Sequence, residues 1–214
     1  MFPARYTQGS IATHLIIMTS STALGLLTIF LSELVDIYFL GLIGEAEITA
    51  LGFAGPIIFF SLSLNIGLSI ACSALVSIAL GSGNTASSRE TVTHSLVSAF
   101  IISLPLALIL WFYLPTLLSL MGASGQALEL ANAYTSIVII GMPLLAVAMS
   151  MGSIMRAKGD AKNSMLIYIV AGLSNIVLDP ILIFGLDLGV TGAALATLIS
   201  RIIMLAMAYH IIVN

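Results

Sequence analysis

The sequence predicts an all-α integral membrane protein built as a bundle of six transmembrane helices. Of its 214 residues, 60% are hydrophobic and only 7% are charged, and the mean hydropathy is +1.19. No water-soluble core of this length needs such a composition. In lipid every backbone N–H and C=O group is satisfied within the protein, so only helices or a closed barrel can span the bilayer. Apolar runs of roughly 20 residues without strand-like alternation favour helices.

Six apolar runs define the predicted spans of one lobe that occupies residues 1–214. Polar or glycine-rich segments end the first five runs in turn: GLIGEAE, GSGNTASSRE, PTLLSLMGASGQAL, RAKGDAKN and LDLGV. These connections are too short to hold a soluble domain. The predicted spans are 11–40, 52–80, 91–114, 129–155, 164–185 and 191–213.

Basic residues are distributed unevenly over the connections. Arg5 lies in the N-terminal segment, and the second and fourth connections contain Arg89, Arg156, Lys158 and Lys162. The first, third and fifth connections contain no Lys or Arg. Because cytoplasmic loops of membrane proteins carry the excess of Lys and Arg, both termini are expected on the cytoplasmic side of the inner or plasma membrane.

Composition and motifs argue against several classes of protein. The net charge is −3 and the carboxylates are scattered, so nucleic acid is not an expected partner. Cys72 is the only cysteine, which excludes an intrachain disulfide. The sequence contains no HExxH, GxGD or GxSxG motif, so it does not predict an intramembrane enzyme. No cofactor is expected.

Two acidic residues inside the predicted spans are the main functional candidates, because ionisable groups in the hydrocarbon are costly. Asp36 follows about 22–25 residues of an outward-running span, which places it near the outer end and shallow enough to hydrate. Asp179 lies about 15 residues into the fifth span, roughly 22 Å from the inner surface. Both carboxylates are therefore expected in the outer half of the membrane.

Polar neighbours complete a candidate cation site around these acids. Asn175 precedes Asp179 by four residues and shares its helix face, and Ala193 and Thr197 have the same spacing on the sixth span. Thr197 lies at a depth that matches Asp179. Carboxylate, amide and hydroxyl oxygens suit a hard cation such as Na⁺, whereas two neighbouring carboxylates in a low dielectric could instead hold a proton.

Pro180 allows two interpretations of the adjacent acid. Its ring disfavours helical geometry at Asp179, so a local irregularity could expose carbonyl groups to a bound ion. The alternative is that Asn175 and Asp179 only cap a break at Pro180, while Asp36 is an acid in the headgroup region.

Three further polar residues within the spans are secondary candidates. Glu33 lies one turn before Asp36 and either joins the site or faces a watery cavity or a serine. Asn65 in the second span either bonds a neighbouring helix or binds a ligand. Arg201 in the last span either pairs with an acid or lines a cavity.

Four stretches of the sequence resemble the multidrug and toxic compound extrusion (MATE) family of cation-coupled antiporters. They are LVDIYFLGLIGEAEITALGFAGP at 34–56, ALVSIALGSGN at 74–84, MRAKGDAKN at 155–163 and NIVLDPILIFGLDLGVTGAALATLIS at 175–200. The resemblance runs along nearly the whole chain but covers only the N-terminal lobe of the family's two-lobe fold. A second lobe, or a second copy of this chain, is therefore an expected partner alongside membrane lipid.

The resemblance also implies a site and an activity. The cation site of the family's N-terminal lobe falls on Asp36, Asn175, Asp179 and Thr197, with the backbone of Ala193 as a further ligand. The implied activity is export of small organic, often cationic, drugs or toxins by antiport with Na⁺ or H⁺.

Two points separate this chain from a simple family assignment. Family members often carry a proline early in the first helix, where this chain reads Ser20-Ser21-Thr22, so the resemblance does not extend to a proline-driven bend there. The alternative activity is that of a lipid-linked oligosaccharide flippase of related architecture. A flippase would need a cationic cavity for a pyrophosphate, and Arg201 is the only Lys or Arg within the predicted spans.

Overall fold

The protein is described by a computed structural model that covers residues 10–83 and 85–213, with only the backbone of residues 85 and 86. A single turn of π-helix, Ile181–Gly185, follows the helix that ends at Pro180. The predicted all-α fold class is confirmed. The helices are α1 (Ile11–Gly41), α2 (Glu45–Gly81), α3 (Thr85–Leu120), α4 (Gly125–Ile140), α5 (Met142–Ala157), α6 (Ala161–Pro180) and α7 (Gly189–Val213).

The fourth predicted span, 129–155, is not one straight helix. Within the described residues, five helices are long and apolar enough to cross a membrane, and α4 and α5 meet that condition only together, as a pair bent by 45°. Gly141 lies at the bend, and Pro143 occupies the first turn of α5. Proline lacks a backbone N–H, so the helix that precedes it cannot continue with unbroken hydrogen bonds. The bundle has six spans if the bent pair is counted as one.

Small residues let the helices approach closely. α1 packs mainly on α6, whereas α2 and α7 both pack on α4 and α5. A Cβ atom added to Gly25 of α1 would lie 3.1 Å from the ring of Tyr168 on α6. One added to Gly152 of α5 would lie 3.2 Å from the same ring. Tyr168 thus fills a space that glycines on two neighbouring helices leave open, as is typical of transmembrane packing.

The basic connections lie together at one end of the bundle. Burial and the nearby Arg89 guanidinium lower the pKa of the Lys158 amine, so the start of α3 is close to the connection between α5 and α6. In the same region Arg156 donates to Oγ of Ser164 at 2.7 Å. Arg5, which contributes to the predicted orientation, lies outside the described residues. The second and fourth connections therefore share one side, as the charge pattern predicts.

Pro180 predicts an irregularity at Asp179, but Asp179 stays helical within α6 and the irregularity lies directly after the proline. In the π-turn the N–H of Leu186 donates to the carbonyl of Ile181 at 2.9 Å, a wider ring than an α-helix closes. Gly192 of α7 packs against this turn so closely that an added Cβ would lie 2.6 Å from the carbonyl oxygen of Leu182. The π-turn and the start of α7 therefore form one tight unit next to Asp179.

Candidate functional site

Four predicted site residues from three helices come together in the interior of the bundle. Asp36 of α1 is 4% exposed and Asp179 of α6 is fully buried. Their carboxyl groups are within hydrogen-bonding reach of each other. Thr197 Oγ1 of α7 donates to Asp36 Oδ2 at 3.4 Å, and Asn175 Nδ2 donates to Asp179 Oδ1 at 3.4 Å. We call these four side chains the acidic pocket.

The burial of Asp36 corrects the shallow, hydrated position expected from helix rise. Side chains from α4 and α7 cover its carboxyl group, because Tyr134 and Thr197 both donate to Oδ2. Helix rise measures only height along the span, and it does not show which helices lie in front of a side chain. An acid that is 4% exposed does not lie hydrated among headgroups.

Tyr134 is a member of this site that the sequence analysis did not single out. Its hydroxyl group donates to Asp36 Oδ2 at 3.1 Å, and the residue is 5% exposed. A buried tyrosine needs a partner for its O–H, and its position midway along an apolar helix was the signal that could have pointed to it. The partner itself is 98 residues away in the sequence, and no local pattern connects the two.

Within the described residues, two carboxylate oxygens of the acidic pocket have no hydrogen-bond partner. They are Oδ1 of Asp36 and Oδ2 of Asp179, and both atoms are buried. An unsatisfied oxygen of an ionised carboxylate is expensive in a low-dielectric interior. A monovalent cation between the two carboxylates, or a proton shared by them, would satisfy these oxygens. The residues therefore fit the chemistry of a coupling ion.

A cavity of about 100 Å³ adjoins the acidic pocket. Asp36, Asn175 and Thr197 line it, whereas Asp179 is not part of its wall. Apolar side chains supply most of the remaining wall. All three secondary candidates, Glu33, Asn65 and Arg201, also line this cavity.

The secondary candidates have separate contacts. Asn65 donates to the carbonyl of Met142 at 3.4 Å, which is a bond between helices. Arg201 donates through Nη1 to the carbonyl of Val138. Glu33 is close enough to interact electrostatically with Arg201.

Ala193 lies one turn before Thr197 on α7. It is fully buried in an apolar cluster with Leu40 and Ile183. A role for its backbone as a cation ligand stays a prediction.

Replacing Tyr134 with phenylalanine removes the hydroxyl group and keeps the ring. A hydrogen bond to a charged group contributes about 1.5–3 kcal/mol. We therefore expect Tyr134→Phe to lower the free energy of unfolding by about that amount in cation-free buffer, and by less at saturating Na⁺ or low pH, where the carboxylates are neutralised. Thermal unfolding in detergent measures the change, and Tyr38→Phe, whose side chain is 63% exposed, is the matched control. Equal unfolding temperatures for the two variants would contradict this assignment.

Comparison with known proteins places the chain among membrane transporters. A family profile described as MatE matches residues 21–181. The chain is 29% identical over 200 residues to the FAD transporter of Shewanella oneidensis, which covers 92% of this chain and 44% of that protein. It is 27% identical over 180 residues to the multidrug export protein MepA of Staphylococcus aureus, which covers 84% of this chain and 40% of that protein.

Solved structures give the same result for the fold. A MOP superfamily transporter from Pyrococcus furiosus superposes with a TM-score of 0.88 at 28% identity, over 95% of this chain and 45% of that one. A MATE transporter in the bent conformation gives a TM-score of 0.90 at 27% identity, over 94% and 45% of the two chains. The chain therefore spans less than half the length of the relatives that it matches.

Proposed function

Because the chain belongs to the MatE family of membrane transporters, we propose that it is a secondary active transporter lobe in which Asp36 and Asp179 hold the coupling cation, Na⁺ or H⁺. The observation that supports this proposal is a pair of buried oxygens, without a partner in the described part of the chain, on two carboxylates within reach of each other. Neutralisation by a cation would make their burial favourable.

Coupling requires that cation and substrate prefer different conformations, because a ligand with equal affinity for two states shifts neither. The acidic pocket joins α1, α6 and α7, so an occupied pocket favours one arrangement of these helices. Without the cation, repulsion between Asp36 and Asp179 favours another. The adjoining cavity changes shape with these helices, because Asp36, Asn175 and Thr197 are part of its wall.

The proposed substrate is a small organic molecule, including cationic drugs or toxins, exported across the plasma membrane. An organic substrate is supported by the names of two relatives, a FAD transporter and a multidrug export protein. Neither name favours the alternative of a lipid-linked oligosaccharide flippase. Cytoplasmic termini and a second lobe, or a second copy of the chain, complete the proposal.

Transport in proteoliposomes tests this function. Efflux of ethidium, a fluorescent organic cation, is measured with an imposed Na⁺ gradient or an imposed H⁺ gradient. We expect one gradient to accelerate efflux, and monensin or nigericin to abolish the corresponding acceleration. Efflux that persists unchanged after both gradients have been dissipated would overturn cation coupling.

A further inference from the structure

The C-terminal half of α4 is tied to two other helices by hydrogen bonds. The Tyr134 hydroxyl group donates to Asp36 of α1. The Val138 carbonyl accepts from the guanidinium of Arg201 on α7. Tyr134 and Val138 are four residues apart and therefore lie on one face of α4. The end of α4 is thus connected both to the acidic pocket and to α7.

The Val138 carbonyl needs a donor because α4 ends at Ile140. The last four carbonyl groups of an α-helix lack ordinary helical donors, and here the chain bends by 45° before α5 begins. An unsatisfied carbonyl group is costly in the membrane interior, where no water can supply a donor. Arg201 supplies the missing donor from the neighbouring helix.

Gly141 makes this contact sterically possible. A Cβ atom at Gly141 would lie 3.1 Å from Nη1 and 3.2 Å from Cδ of Arg201, and 2.9 Å from Cδ1 of Leu198. Because Gly141 has no side chain, Leu198 and Arg201 of α7 can pack against the bend. Next to Gly141, the Met142 carbonyl accepts from Asn65 of α2 at 3.4 Å. Side chains of both α2 and α7 therefore contact the bend.

The same face of α7 also reaches the acidic pocket. Thr197 precedes Arg201 by four residues, so the two side chains lie one above the other. Thr197 donates to Asp36 at 3.4 Å, while Arg201 holds the bend. Glu33, one turn before Asp36 on α1, interacts electrostatically with Arg201. α1, α7 and the end of α4 are linked through contiguous polar contacts.

We propose that Arg201 is a positioning residue that couples the bend between α4 and α5 to the charge of the acidic pocket. This inference rests on the proposed function, because the charge changes only if a cation binds. The guanidinium is attracted by Glu33 and Asp36 on one side and bonded to Val138 on the other. A cation between Asp36 and Asp179 weakens the attraction and frees the Tyr134 hydroxyl from its ionised acceptor. The end of α4 then shifts relative to α1 and α7.

Distance measurements between spin labels test the inference. Labels on cysteines introduced at Gln126 and Ala157 report the ends of α4 and α5, in a Cys72→Ala background that removes the native buried thiol. Each helix contributes roughly 24 Å at 1.5 Å per residue, so straightening a 45° bend lengthens the distance by about 4 Å. We expect Na⁺, or low pH, to shift the distance by a few ångströms in the parent protein.

Arg201→Gln is expected to broaden the distance distribution and to remove its response to the cation. Cation binding itself, measured as thermal stabilisation by Na⁺ or by low pH, is expected to stay within about threefold of the parent. Arg201→Lys, which keeps the charge and a donor, is expected to restore part of the response. Gly141→Ala crowds Arg201 without removing any charge and should lose the response as Arg201→Gln does. Arg156→Gln, at the basic end of the bundle, is the matched control and should respond like the parent.

The outcomes separate the two proposals. A full cation-dependent shift in Arg201→Gln and Gly141→Ala would overturn the role of Arg201. A parent protein that binds the cation without any shift would also overturn it, and would leave the proposed cation site intact. A parent protein that binds neither Na⁺ nor H⁺ at the acidic pocket would overturn the proposed function and this inference with it.

Discussion

Asp179→Asn is expected to abolish cation-driven transport while leaving the protein folded. The amide has nearly the same shape as the carboxylate but no charge. At an effective dielectric constant of about 20, a unit charge at 4 Å contributes about 4 kcal/mol to cation binding. Allowing for compensation by Asp36, we expect the cation affinity to fall by roughly 100-fold or more, since each 1.4 kcal/mol corresponds to a factor of ten. Gradient-driven efflux from proteoliposomes and stabilisation by the cation both measure this loss.

Asp187→Asn is the matched control for this substitution. Asp187 is exposed in the connection between the π-turn and α7, and its backbone φ is 54°. Asparagine adopts this left-handed conformation readily, so the control should fold and transport normally. Relief of repulsion with Asp36 should keep the unfolding temperature of Asp179→Asn at or above that of the parent. Normal cation-driven efflux by Asp179→Asn would remove Asp179 from the site.

Gly192→Ala is expected to destabilise the protein strongly, although alanine normally favours a helix over glycine. The added Cβ would lie 2.6 Å and 2.7 Å from the carbonyl oxygen and carbon of Leu182, and 2.9 Å from the nitrogen of Ile183. These are backbone atoms of the π-turn, so no flexible side chain can move aside. Forcing atoms into a packed interior costs about 1–3 kcal/mol or more. A lower unfolding temperature and weaker cation binding, from displacement of Asp179, are the expected results.

Gly67→Ala provides the comparison, because a Cβ at Gly67 of α2 would have no neighbour within 4 Å among the residues that the structure describes. Intrinsic helix propensity then predicts a gain of up to about 1 kcal/mol. The two glycine substitutions are therefore expected to change stability in opposite directions. If Gly192→Ala and Gly67→Ala unfold at the same temperature, α7 does not pack on the π-turn as described.

Hydropathy was sufficient to predict the fold class, because long apolar runs in lipid have few structural solutions. It could not locate the bend between α4 and α5, since apolar residues continue on both sides of Gly141. It also underestimated the lengths of α2 and α3, which extend beyond predicted spans 52–80 and 91–114. Helical geometry does not stop where the hydrocarbon ends.

Side-chain spacing placed Asn175 with Asp179 because both lie on one helix. The juxtaposition of Asp36 with these residues was reached from estimated depth and from family resemblance, and the structure brings the side chains together. The contacts of Tyr134 with Asp36 and of Arg201 with Val138 could not be predicted, because these partners are 98 and 63 residues apart. Contacts of that separation depend on how whole helices pack, and a single sequence carries little direct record of that packing.

The contact between Thr197 and Asp36 joins residues 161 positions apart, which has a consequence for biosynthesis. A ribosome releases α1 into the bilayer long before it has translated α7. During that interval the Asp36 carboxyl group lies among lipids or insertion factors and lacks its contact with Thr197. We therefore expect charge neutralisation at Asp36 to be needed while the nascent helix is inserted and, under the proposed function, again in each transport cycle.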